Sequence, residues 1–149
     1  MQTLAPIQLE MARVIRAPRQ RVYEAWTRPE IVQQWFGPSH MMVPDTALDV
    51  REGGHYRIEF RETCGGTEGS TSAATGVYRR VVPNELLEFT WCGSWDPSAT
   101  SLVTISLRDV EGGTELTLRH EQFPTEESRD RHQIGWLGSF EKLAKVLEG

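Results

Sequence analysis

A long amphipathic helix is written into the last stretch of the chain, Thr125 to Gly149, and a helix of that length needs a broad apolar surface to lie on. Thr125 follows Pro124 and has the hydroxyl of an N-cap. Glu126 and Glu127 suit the positive end of the helix dipole, Lys142 and Lys145 the negative end. Glu127–Arg131 is spaced as an i,i+4 ion pair on an exposed face. With about 3.6 residues per turn, Arg129, His132, Gln133, Trp136, Phe140, Leu143 and Leu147 fall on one stripe. The second half of that stripe is apolar and the first half is polar. A helix that only sealed a core would have no use for the polar half. Its N-terminal end is therefore expected to face a wet or ligand-filled space, and its C-terminal end a packed core. On that division, His132→Ala should cost far less stability than Leu143→Ala.

Upstream, Ile7 to Arg16 reads as a first strand. Leu9, Met11, Arg13 and Ile15 share one face, Ala12 and Val14 the other. Which face is inward stays open, because a buried Arg13 would need a partner. Pro18 and Pro29 open two short helices, with Val22 and Trp26, then Ile31 and Trp35, at i,i+4. Gly37-Pro38 ends the second. From Leu48 onward the pattern is strands with turn punctuation, and Tyr56, Ile58 and Phe60 alternate with charged neighbours. Cys64 to Thr75, rich in Gly, Ser and Thr, reads as a hairpin loop. Strands over Gly76–Val82, Leu87–Trp91, Val103–Leu107 and Leu116–His120 follow. The order is a strand, two helices, about six strands and one long helix. Links of hairpin length imply an antiparallel sheet. Strongly twisted, such a sheet can wrap round the terminal helix. The expected fold class is α+β, as one domain over residues 1–149.

Bulk properties exclude several function classes. A net charge of -5 and a pI near 5.4 argue against nucleic acid or an anionic membrane as partner. No run approaches the roughly 20 apolar residues of a membrane span. The N-terminus has neither the basic nor the apolar region of a signal peptide. Two cysteines, Cys64 and Cys92, make no disulfide framework and suit a reducing compartment, so the cytoplasm is the expected location. Neither of the usual glycine-rich phosphate loops is present, and no cofactor is expected. The cysteines and histidines lack the close spacing of a structural zinc site, so no metal is expected either.

The run IRAPRQRVYEAWTRPEIVQQWFGP, from Ile15 to Pro38, resembles the opening of the activator of heat-shock-protein-ninety ATPase homologue family. That family lies within the START-like (SRPBCC) helix-grip superfamily. DVREGGHYRIEF, GVYRRVVPNELLEFTW, VTISL followed by GGTELTLRHEQFP, and HQIGWLGSFEKLAKVL continue the resemblance in order over nearly the whole chain. The resemblance implies the helix-grip fold, a curved antiparallel sheet closed round a long C-terminal helix. In eukaryotic co-chaperones of the family, a domain of this type is joined to a separate N-terminal chaperone-binding domain. This chain starts at its first strand, and such a domain is not expected in it. Other branches of the superfamily hold lipids, sterols or hormones, or cyclise polyketides, in the cavity between helix and sheet.

His120 shares the parity of Leu116 and Leu118, and His132 lies on the helix stripe, so both are expected to face one cavity. Arg129 and Gln133 would join them as a polar cluster fixing one end of an apolar ligand. Tyr56, Phe60, Trp91 and Trp136 are expected as walls, with Trp35 and Trp91 near the rim. Trp95, in a loop, is a further rim position, while Trp26 reads as core. The preferred function is binding of a small apolar or amphipathic molecule. One alternative is a co-chaperone-like interaction protein. The other is a cyclase- or dehydratase-type enzyme using His120 and His132 as an acid–base pair. A homodimer and a chaperone contact stand as further partner options. A filled interior would remove the main support for ligand binding.

Overall fold

The computed structural model describes residues 7–38, 40–63 and 69–148. Strand β1 (Gln8–Ile15) is followed by two short helices, α1 (Arg19–Thr27) and α2 (Pro29–Trp35). Six strands come next: β2 (Met41–Leu48), β3 (His55–Glu62), β4 (Thr71–Val82), β5 (Leu86–Gly93), β6 (Ser101–Val110) and β7 (Gly113–Glu121). The long helix α3 (Glu126–Glu148) closes the chain. The strands form one antiparallel sheet in the order β1-β7-β6-β5-β4-β3-β2. Sequential hairpins run from β2 to β7, and β1 pairs at the far edge with β7. The result is a curled sheet gripping α3, the helix-grip arrangement.

Register lines up the apolar residues of neighbouring strands on the sheet face that the helices cover. Ile105 lies opposite Leu118, Val103 opposite both Phe89 and His120, and Leu9 opposite His120. Trp136, Phe140, Leu143 and Leu147 of α3 are buried on that face, as the stripe predicts. Thr125 caps the helix: its Oγ1 accepts the Ser128 backbone N–H at 3.1 Å. Arg131 closes its ion pair with Glu127 one turn back.

Three local expectations change. Leu48 ends a strand rather than beginning one, because Met41–Leu48 is already paired with β3. Its register shifts between Met42 and Asp45, around Pro44. An edge strand is where a sheet tolerates a residue without an N–H, and that break hides the period of two. In the expected loop Cys64–Thr75, residues 64–68, Cys64 among them, lie outside the described residues, and Thr71–Thr75 is strand. Serine and threonine serve there as strand residues paired with β3. The two readings of β1 also resolve. Leu9 and Ile15 are buried and Val14 is exposed, so the Leu9 face is inward. Arg13 shares its parity yet stays in solvent, since β1 is an edge strand, and it borders a groove with Glu141 and Glu148.

Candidate functional site

Between the N-terminal half of α3 and the sheet lies an open cavity of about 530 Å³. Phe60 of β3 and Trp91 of β5 supply the sheet wall, and Phe36 with Gly37, Pro38 and Met41 the wall beyond α2. The β5–β6 loop places Trp95 and Asp96 at the mouth. From the helix come Ser128, His132, Gly135, Trp136 and Ser139, with Glu127 and Arg131 at the opening. Gly37 takes a φ of 93°, a left-handed conformation that favours glycine, and so turns the chain from α2 into the wall. Its Cα side lies against the Phe60 ring, where an added Cβ would stand 3.2 Å from two ring carbons.

Beneath the floor runs a hydrogen-bonded chain. The Trp136 indole N–H donates to His120 Nδ1 at 3.1 Å, and Ser101 Oγ lies 2.6 Å from His120 Nε2. An indole nitrogen only donates. His120 Nδ1 is therefore the acceptor and Nε2 carries the proton, which it donates to Ser101 Oγ. Ser101 in turn donates to the Trp91 carbonyl at 3.3 Å. A second chain starts from the Trp91 indole N–H, which donates to His132 Nε2 at 3.2 Å. By the same logic His132 Nδ1 holds the proton and donates to the Ser128 carbonyl at 2.7 Å. The two imidazole rings sit edge to face with centroids 5.0 Å apart.

Electrostatics agree with those assignments. Burial, and secondarily the neighbouring His132, holds His120 well below the ordinary histidine range. Burial also lowers His132, against an opposing pull from its bond to the Ser128 carbonyl. Both rings are neutral at physiological pH, and each spends both nitrogens on protein partners. An acid–base pair serving a ligand would have to break one of these bonds first.

Of the residues singled out from sequence, the structure brings Phe60, Trp91, His132 and Trp136 to the cavity wall. His120 is wholly buried behind them. Tyr56 is also behind the wall, its hydroxyl donating to the Thr90 carbonyl at 2.5 Å. Trp35 is core rather than rim: it is fully buried, and its indole N–H donates to the Ala25 carbonyl at 2.8 Å. Trp26 packs on it edge to face at 4.7 Å, and the next residue, Phe36, reaches the cavity instead. Arg129 and Gln133 stand outside the cavity. Arg129 pairs with Asp130 and Gln133 is exposed. At about 100° per residue, Ser128, His132, Gly135 and Ser139 lie roughly 60–120° round from Arg129, on one flank of the stripe, and Gln133 lies on the other.

That flank is what residue-type reasoning missed. Ser128, Gly135 and Ser139 are small and recur at helical spacing, which marks a face that leaves room. Among the described residues no group of three or more His, Cys, Asp or Glu is placed to hold a metal ion. No helix among them is long and apolar enough to cross a membrane.

Comparison with known proteins places this architecture. The family model described as Activator of Hsp90 ATPase homolog 1-like protein matches residues 16–148. The chain is similar to the crystal structure of a protein from Chromobacterium violaceum, with 28% identity and a TM-score of 0.86 over 97% of this chain and 99% of that one. An AHSA1 protein from Silicibacter pomeroyi is 25% identical, with a TM-score of 0.81 over 95% and 97% of the two chains. The solution structure of an AHSA1-like protein from Aeromonas hydrophila is 18% identical, with a TM-score of 0.77 over 95% and 92%, a likeness of fold alone. A search of curated proteins gives no match.

Proposed function

The chain belongs to the family described as Activator of Hsp90 ATPase homolog 1-like protein, and on that footing we propose that it is a binding module for a small, mostly apolar molecule held between sheet and helix. The observation that carries this is Gly135. Glycine inside a helix costs about 1 kcal/mol relative to alanine. Here no neighbour demands it, since a Cβ built at Gly135 would meet nothing within 4 Å. The space it leaves is the cavity, walled by Phe36, Phe60, Trp91, Trp95 and Trp136. Such a volume suits a drug-sized ligand, pockets for which run from about 300 to 1,000 Å³.

Gly135→Leu tests this directly. Leucine projects into the open space and improves helix propensity, so the variant should fold while losing affinity for apolar fluorescent probes. Native mass spectrometry of fresh protein should also find a co-purified small molecule on the wild type and none on the variant. Unchanged probe binding by a folded Gly135→Leu protein would refute the proposal. The enzyme alternative is disfavoured, because His120 and His132 leave no ring nitrogen for a substrate.

A second reading, an interaction protein, has one observation in its favour. Ile134 and Leu137, three residues apart on the outer face of α3, are 71% and 51% exposed. Either a chaperone or a second copy of the chain could use them. If sedimentation shows a dimer that Leu137→Lys dissolves, the second copy is the partner. A cytoplasmic setting is proposed on cysteine usage alone.

A further inference from the structure

The charges round the cavity select among the ligands that its shape admits. Among the lining residues, Asp96, Glu127 and Arg131 carry charge, and all three are near the mouth. Arg131 is spent on Glu127. Asp96 is half-buried, and its Oδ1 accepts the Ser98 hydroxyl at 2.8 Å, with no cation in ion-pair reach among the described residues. The mouth therefore has one uncompensated negative charge and no uncommitted positive one.

Deeper in, hydrogen-bond donors are scarce. The Trp91 and Trp136 indole N–H groups go to His132 and His120, and Ser139 Oγ donates to the Gly135 carbonyl at 2.9 Å. Lys142 donates to the Pro38 carbonyl at 3.3 Å but is not among the residues that line the cavity. An anionic head would find only the neutral hydroxyls of Thr125 and Ser128 to replace its lost water, and burying its charge would be costly. A cation meets the opposite situation. Trp95 is half exposed beside Asp96, and its ring lies 6.3 Å from Trp91 and 6.0 Å from His132. Indole faces attract cations, and the adjacent carboxylate adds to the attraction.

The walls also prefer a flat body. Trp91 and Trp136 lie 5.6 Å apart and Phe36 and Trp91 6.0 Å, so neighbouring aromatic rings form a continuous part of the wall. Aromatic rings gain offset or edge-to-face contacts that a flexible alkyl chain does not.

Building on the binding-module proposal, we infer that the cavity takes a planar aromatic molecule carrying an amine-type positive group, the rings inside and the cation at Asp96, and that it rejects ligands headed by carboxylate or phosphate.

Calorimetric titration of the full chain with naphthylmethylamine, naphthylmethanol, naphthoate and decylamine tests this at neutral pH and low salt. The aromatic amine should bind about three- to tenfold tighter than the alcohol, the range of a partly exposed charge contact. Naphthoate should bind more weakly than the alcohol, and decylamine more weakly than the aromatic amine. Asp96→Asn should bring the amine level with the alcohol and leave the alcohol's affinity unchanged. Naphthoate binding as well as the amine, decylamine matching it, or an unchanged order in Asp96→Asn would each overturn the inference while sparing the binding module. If none of the naphthyl probes binds the wild type, or if Gly135→Leu binds them equally well, the cavity proposal itself fails and this one falls with it.

Discussion

Acid should destabilise this protein partly through His120, and His120→Gln should remove that part. Burial is the main reason the ring resists protonation in the native state, with His132 the lesser one. An unfolded chain protonates the same ring near its ordinary value of 6.5. Below that pH the unfolded state binds more protons than the native state and is favoured. The contribution is thus complete above about pH 6.5 and is lost as the pH falls beneath it. While the native ring stays neutral, the loss approaches about 1.4 kcal/mol for each pH unit. Whole domains hold only about 5–15 kcal/mol, so one to two pH units are readily measured. Glutamine offers the same two bonds without titrating: its carbonyl can accept from Trp136 and its amide can donate to Ser101. It forfeits the ring packing on Phe123, whose centroid lies 4.2 Å away, and should cost about 1–2 kcal/mol at neutral pH. Urea unfolding followed by tryptophan fluorescence, from about pH 7.5 down to about pH 5.5, gives the stability gap between the two proteins and cancels the carboxylates they share. The gap should narrow by about 1.4 kcal/mol over that range. A gap that stays constant would show that His120 titrates alike in both states, and the neutral, doubly bonded ring would be refuted.

Three further outcomes are expected. Leu143→Ala, at a wholly buried position, should lower stability by about 2–5 kcal/mol in the same urea assay, and a loss under about 1 kcal/mol would mean that the helix is not seated on the sheet. His132→Ala should cost about 1–3 kcal/mol, because it strands the buried Trp91 N–H; the small cost expected from a histidine facing only water does not fit its two hydrogen bonds. Gly93→Ala should push Trp95 off the mouth, since the new Cβ would collide with the indole. Red-shifted tryptophan emission with little stability change would report it, and an unshifted spectrum would count against Trp95 lying there.

The helix stripe, the strand periods and the turn residues carry local information, and they were enough to read the α+β order and the seating of Phe140, Leu143 and Leu147. The inward parity of His120 was legible for the same reason, as side chains alternate along a strand. Trp35 was not: whether an indole before a Gly-Pro break lies at a rim or in the core depends on Ala25 and Trp26, which chain reversal between α1 and α2 brings against it. Arg129 and Gln133 mark a similar boundary. A helical wheel shows which residues share a side, but not which flank of that side the sheet leaves uncovered. The curl of β3 and β5 and the turn at Gly37 uncover the flank of Ser128, Gly135 and Ser139. Nor does any spacing in the chain show that both histidines end as neutral, doubly bonded rings. Their partners Trp91, Ser101 and Trp136 are 41, 19 and 16 residues distant, and only packing brings those donors and acceptors within 3.2 Å.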